Sequence, residues 1–296
     1  MATPPISIGD RAPTRRVHAV TFPQQNPARA GGTMRDRVLL SPADLAENDP
    51  FIAVTEDAMV APGGFPLHPH RGFDLITMVF EGALVHEDSL GTRTELEAGD
   101  LQWQSTAAGV LHSEHPRGAQ TCKILQIWLN TPAQTKTEAP AYALTRAAEL
   151  SETELDPLWV KVIAGDFRGV RGPAQARTPL DLWDLRAEDD GEVRLPLAAS
   201  RRGFVLVLEG EVRIGARARV ARTGHVARLA NEEVAGLRVQ FPRGARFLVC
   251  AGDPLRETVV TAGPFVSDSR ETLAEALAEF HAGRFSDEDQ DSGSAS

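Results

Sequence analysis

The sequence predicts an all-β protein of two similar barrels, followed by a single C-terminal helix. Three observations predict it. First, short apolar or alternating runs recur along the chain, separated by Gly, Pro, Asn or Asp; LITMVFEG, DLQWQST, CKILQIWLN, LWVKVIAG, FVLVLEG and FLVCAG are examples. Second, one signal occurs twice. VFEGALV and VLEGEVR each end an apolar strand in Glu-Gly, at Gly82 and Gly210, and start a new strand at once; a second glycine then precedes a further strand, Gly99 in AGDLQW and Gly224 in TGHVARL. Third, helical periodicity is confined almost entirely to one late stretch. There Leu273, Ala276, Leu277 and Phe280 fall at i, i+3, i+4 and i+7.

Taken in order, the opening MATPPISIGDRAPTRR lacks the apolar core of a secretory signal. The quoted strand runs begin with LITMVFEG at 75–82. The Pro-containing connection over 131–157 reads as the domain boundary, and SETELDPLW at 151–159 carries a weaker helical signal. This gives a first domain over 1–145, which holds the metal ligands, and a second over 146–285 without ligands. In the late helix, Asp268 and Glu271 read as an N-cap pair and Gly283 as the C-cap. The tail 286–296, SDEDQDSGSAS, is acidic, small and polar and reads as disordered.

Composition excludes several function classes. The chain has 296 residues and a formal net charge of −10, which argues against bulk attraction to nucleic acid or an anionic membrane. No apolar run approaches the roughly 18 residues that a membrane helix needs. The two cysteines, Cys122 and Cys250, sit in apolar stretches and read as buried free thiols in a reducing cytoplasm.

The chemistry concentrates in FPLHPHRGFD and GVLHSE. His68 and His70 are i and i+2, as are His112 and Glu114. Alternate side chains of a strand share a face, so two such pairs on neighbouring strands aim three imidazoles and one carboxylate at one point. That donor set suits Fe, Mn, Co, Ni or Cu better than Ca or Mg, and leaves coordination positions open. Zinc remains admissible, although structural zinc usually takes thiolates. The same parity turns His115 outward. His86 reads as exposed near a turn, and His18, His225 and His281 have no partner at ligand spacing.

At these residues the sequence resembles the pirin family. HPHRGF, DSLG, GD-x-QW and G-x-LHSE carry the resemblance over roughly 50–142, and GPFVSDSRETLAEALAEFHAGRF carries it again near the end. It implies two cupin barrels (double-stranded β-helix, or jelly-roll), one iron-type metal in the first, and ligands at His68, His70, His112 and Glu114. Departures exist: Asp74 stands where the family often has Glu, and Ala143 and Leu144 follow Tyr142 in place of a polar pair.

The resemblance implies two roles. One is a quercetin 2,3-dioxygenase, in which a flavonol chelates the metal and Glu114 takes its proton as the catalytic base. Phe65, Phe73, Met78 and Trp103 would then wall a small aromatic chelating substrate. The alternative is a metal- or redox-dependent regulator that binds a protein partner, such as a transcription factor or a metabolic enzyme. Its surface would draw on Arg201, Arg202, Arg213, Arg217, Arg219, Arg222 and Arg228.

Overall fold

The structure, a computed structural model, describes residues 13–23 and 32–285. The acidic tail 286–296 lies outside the described residues. The chain is all-β, with two cupin barrels and a C-terminal helix. No helix among the described residues is long and apolar enough to cross a membrane.

The first barrel faces a six-stranded sheet with a four-stranded one. The larger sheet runs in the order Ala141–Thr145, Leu101–Ser105, Phe73–Glu81, Cys122–Asn130, Phe51–Met59 and Met34–Leu40. The smaller runs Phe65–His70, Val110–Pro116, Ala83–Asp88 and Arg93–Glu97. Tight turns join these short strands. At Gly82 the backbone takes φ +70° and a Cβ would lie 2.5 Å from the Thr121 carbonyl oxygen, so only glycine fits. The repeat of this turn at Gly210, φ +79°, is why Glu-Gly marks both barrels in the sequence.

The second barrel repeats the plan. Its larger sheet runs Val17–Thr21, Val226–Leu229, Arg202–Glu209, Arg246–Gly252, Leu180–Ala187, Leu158–Ala164 and Ser151–Leu155. Its smaller sheet runs Gly191–Leu195, Leu237–Phe241, Glu211–Ile214 and Arg219–Arg222. The stretch expected to show weak helicity over 151–159 forms the strands Ser151–Leu155 and Leu158–Ala164, paired with each other. Its alternation has period 2, and tertiary pairing overrides local helix propensity. Both cysteines are buried and free, and burial pushes the Cys122 thiol up to about 12.

The units are not the linear halves 1–145 and 146–285. Residues 13–23 belong with 150–254, and 255–285 belong with 32–149. Val17–Thr21 completes the second barrel's larger sheet by pairing with Val226–Leu229. Just before it, the buried Arg15 guanidinium donates to the carbonyls of Val234, Ala198, Ala199 and Arg201. At the other end, the hairpin Val260–Ala262/Phe265–Ser267 and the helix Arg270–His281 return to the first barrel. Val266 N–H donates to the Arg71 carbonyl at 3.0 Å, and Arg71 pairs with Glu279. Composition and periodicity specify a strand but not a partner two hundred residues away, so the split at 145/146 followed from local pattern alone. The helix buries Leu273 and Ala276, with Leu277 and Phe280 packed beside them. Its N-cap is Ser269, which accepts from Thr272 N–H, rather than Asp268; Asp268 accepts instead from the Thr272 hydroxyl.

Candidate metal centre

Strand alternation builds the centre. His68 lies directly opposite His112 across the pair Phe65–His70 and Val110–Pro116. His70 follows His68 on the same face. The three Nε2 atoms converge, with 3.0 Å from His68 to His70 and 3.1 Å from His68 to His112. His68 Nδ1 lies 2.7 Å from the Pro66 carbonyl oxygen. A carbonyl only accepts, so that nitrogen carries the hydrogen and Nε2 turns a bare lone pair toward the cluster. His70 and His112 are buried, and burial together with their imidazole neighbours holds both well below the usual histidine range. His68 is lowered too, chiefly by burial.

These residues fit a transition metal. Imidazole nitrogens sit about 2.1 Å from a first-row divalent ion, which places donors at right angles about 3.0 Å apart. Neutral imidazoles crowded to that spacing satisfy one another poorly through hydrogen bonds, because each carries a single N–H. A cation at their meeting point would engage all three.

Glu114 stands beside this trio. It is completely buried, and its ligand oxygen lies within 4.8 Å of His112 and His86 rather than joining the group His68, His70 and His112. Gln102 Nε2 donates to Oε1 at 2.5 Å, Gln126 Nε2 to Oε2 at 2.6 Å, and Thr77 Oγ1 to Oε1 at 3.3 Å. Burial raises the Glu114 carboxyl despite these donors. The sequence-derived quartet is therefore three converging imidazoles with the carboxylate adjacent, held by neutral donors.

His86 is not exposed. It is fully buried opposite Glu114, and its Nε2 lies 3.1 Å from Asp88 Oδ2. Its ring stacks on Tyr142 at 4.8 Å and tilts against His112 at 5.5 Å. Parity carried this signal: His86, like Asp88, alternates with Val85 and Glu87 on Ala83–Asp88. His115 is exposed on the opposite face of its strand. Among the described residues, no ligand group includes His18, His115, His225 or His281, and none lies in the second barrel.

The four proposed pocket residues separate. Phe73 is buried at the cluster, edge-on to His70 at 5.2 Å and stacked on Trp128 at 4.4 Å. Phe65 lies 6.0 Å from His68. Met78 and Trp103 face the other way, because Met78 pairs with Leu101 and Trp103 with Ile76, whereas Thr77 pairs with Gln102 on the cluster's side. The aromatic the sequence reading missed is Trp128, edge-on to His70 at 5.0 Å. It shares strand parity with Gln126, which could have found it.

Comparison with known proteins agrees with this architecture. The family described as Pirin matches residues 25–129, and the Pirin C-terminal cupin domain matches 182–286. A pirin of Mus musculus is 33% identical over 80% of this chain and 83% of its own. A pirin-like protein of Arabidopsis thaliana is 33% identical over 78% of each. Among solved structures, quercetin 2,3-dioxygenase from Acinetobacter baumannii superimposes with a TM-score of 0.83 at 26% identity, covering 92% of this chain and 98% of that one.

Proposed function

Since the chain belongs to the pirin family, we propose that it is a metal-dependent dioxygenase that opens a flavonol such as quercetin. His68, His70, His112 and Glu114 hold one divalent metal in the first barrel, and iron is the metal we assign, with Ni, Co, Cu, Mn and Zn admitted by the donor set. The observation that carries the reading is the convergence of three imidazole nitrogens beside a buried carboxylate. The likeness to a quercetin 2,3-dioxygenase over nearly the whole of both chains supports the choice of reaction.

When bound, the metal supplies Lewis acidity to a chelating enol and a path for electrons to dioxygen. The protein's own groups do the rest. Glu114 accepts the proton of the flavonol 3-hydroxyl, a role suited to a carboxyl whose proton affinity burial has raised. Gln102, Gln126 and Thr77 keep that carboxylate in place. Phe73 and Trp128 form an apolar wall beside His70, against which an aromatic ring can lie.

The test is aerobic turnover of quercetin by metal-replete protein, following oxygen uptake and carbon monoxide release together with metal analysis. A flavone without the 3-hydroxyl should be inert, because it cannot chelate as an anion. Glu114→Gln should lose about 10²–10⁴-fold in turnover while losing far less metal. Untouched quercetin, with redox-dependent binding of a protein partner, would replace the enzyme by the regulator. The arginines offered for that role are partly spent within their own barrel: Arg201 pairs with Asp181, and Arg213 and Arg222 pair with Glu211.

A further inference from the structure

A directed line of hydrogen bonds ends on Glu114, and we propose that Tyr142 is the positioning residue that sets how this carboxylate meets the metal. Tyr142 is the chain's single tyrosine. It lies on the edge strand Ala141–Thr145, opposite Gln104 of Leu101–Ser105, and so on the face that also carries Gln102. Its hydroxyl lies 2.5 Å from Thr94 Oγ1 and 3.1 Å from Gln102 Oε1. Gln102 Nε2 lies 2.5 Å from Glu114 Oε1.

Counting hydrogens fixes the direction of this line. An ionised carboxylate only accepts, so Gln102 faces it with its NH₂ end. The other end of the amide is a carbonyl, which also only accepts. Tyr142 must therefore place its one hydrogen on Gln102, and Thr94 must donate to Tyr142. All three groups point their hydrogens toward Glu114, and each bond polarises the next. Burial pushes the Tyr142 hydroxyl up to about 12, so it keeps that hydrogen at neutral pH.

The tyrosine reaches the centre by a second contact. Its ring stacks on His86, which Asp88 holds at Nε2 and which tilts against His112. Asp88 is itself fixed by Gln104 Nε2 at 3.0 Å and by the amides of Leu90 and Thr92. One side chain thus backs the carboxylate through its hydroxyl and a ligand imidazole through its ring. Phenylalanine separates the two, since it keeps the stack and removes only the line of donors. The Gln102 carbonyl then loses its donor in a buried site, and the amide no longer holds Glu114 in one orientation.

This inference rests on Glu114 being a ligand, and the experiment tests the two separately. The full chain is stripped of metal and titrated with Co²⁺ against a competing chelator, and the visible Co²⁺ bands are recorded at saturation. Tyr142→Phe should weaken Co²⁺ about tenfold, the low end of what outer partners of metal ligands cost, and should change the bands. Thr94→Val, which removes only the far donor, should move both readouts less and in the same direction, and serves if Tyr142→Phe fails to fold. Glu114→Ala is the reference. If it changes affinity and bands while Tyr142→Phe and Thr94→Val leave both as in the wild type, the positioning role is overturned and the ligand stands. If Glu114→Ala itself changes nothing, the ligand assignment falls and takes the positioning role with it.

Discussion

Across the middle of the first barrel's larger sheet, Thr55, Gln126, Thr77 and Gln102 stand opposite one another on successive strands. The same row of the second barrel reads Trp183, Val249, Val205 and Ala227. The equivalence is set by the turns, since Thr77 and Val205 precede Gly82 and Gly210 by the same number of residues. The smaller sheets differ in the same way. His68 faces His112 where Leu195 faces Leu237, and His86 faces Glu114 where Ile214 faces Val239. The run His68–Pro69–His70 thus has its counterpart in Leu195–Pro196–Leu197. One barrel spends its interior on polar groups that hold each other in place. The other fills it, with Trp183 packed edge-to-face on Phe167 at 4.9 Å. A buried polar group without a partner is costly, so the first arrangement depends on links such as those that Gln102, Gln126 and Thr77 make to Glu114. The fold is indifferent to which one it carries.

That equivalence can be broken most directly by making the first barrel resemble the second. The double variant His68→Leu/His70→Leu, which writes the second barrel's Leu-Pro-Leu into the first, should bind no metal and still fold. Metal analysis and a thermal melt decide it. A variant that retains one tightly bound metal per chain would show that the two histidines are not the counterparts assigned to them. The reverse contrast concerns packing. Trp183→Ala should cost about 3–5 kcal/mol, as large-to-small changes in full cores do. Thr55→Ala, in the equivalent place, should cost about 1 kcal/mol, the worth of its hydroxyl's bond to Asp57. Denaturant midpoints of both variants give the comparison, and equal losses would mean that the second interior is no tighter than the first.

Much of this was legible in the sequence, for a physical reason. Period-2 alternation places His68 with His70 and His112 with Glu114 whatever the rest of the fold does, and Glu-Gly at Gly82 and Gly210 marks turns that only glycine makes. Alternation does not say which face is inward. In DLQWQST the expectation set Trp103 against the substrate, yet it is Gln102 that faces Glu114. The same inversion hid Trp128 behind Met78 and Trp103, and let His86 pass as exposed when it is buried. Parity groups such residues within a strand, but cross-strand register says which group faces the site, and register depends on partners far away in the chain. The assignment of residues 13–23 and 255–285 was lost for that reason also.

A further expected effect is on the pH dependence of metal-free protein, and it separates the barrels by charge rather than by shape. Burial holds His70 and His112 well below the usual histidine range in the folded chain, whereas in the unfolded chain both titrate near 6.5. Below about pH 6.5 the unfolded state therefore takes up protons that the folded state refuses. Stability must fall as pH falls, by up to about 1.4 kcal/mol per pH unit for each histidine. Glu114 acts in the opposite sense. Its raised carboxyl holds a proton in the folded state at pH values where the unfolded state has released it, so acidification toward the carboxylate range favours the fold. The counterparts Leu195, Leu197, Leu237 and Val239 do not titrate at all. Urea midpoints of metal-free protein between pH 7 and 5.5 should decline steadily for the wild type. They should decline less for His68→Leu/His70→Leu, which retains only the contribution of His112 among the three ligand histidines. Parallel profiles would place the proton-sensitive groups outside the first barrel's interior and would remove the electrostatic half of the contrast between the two.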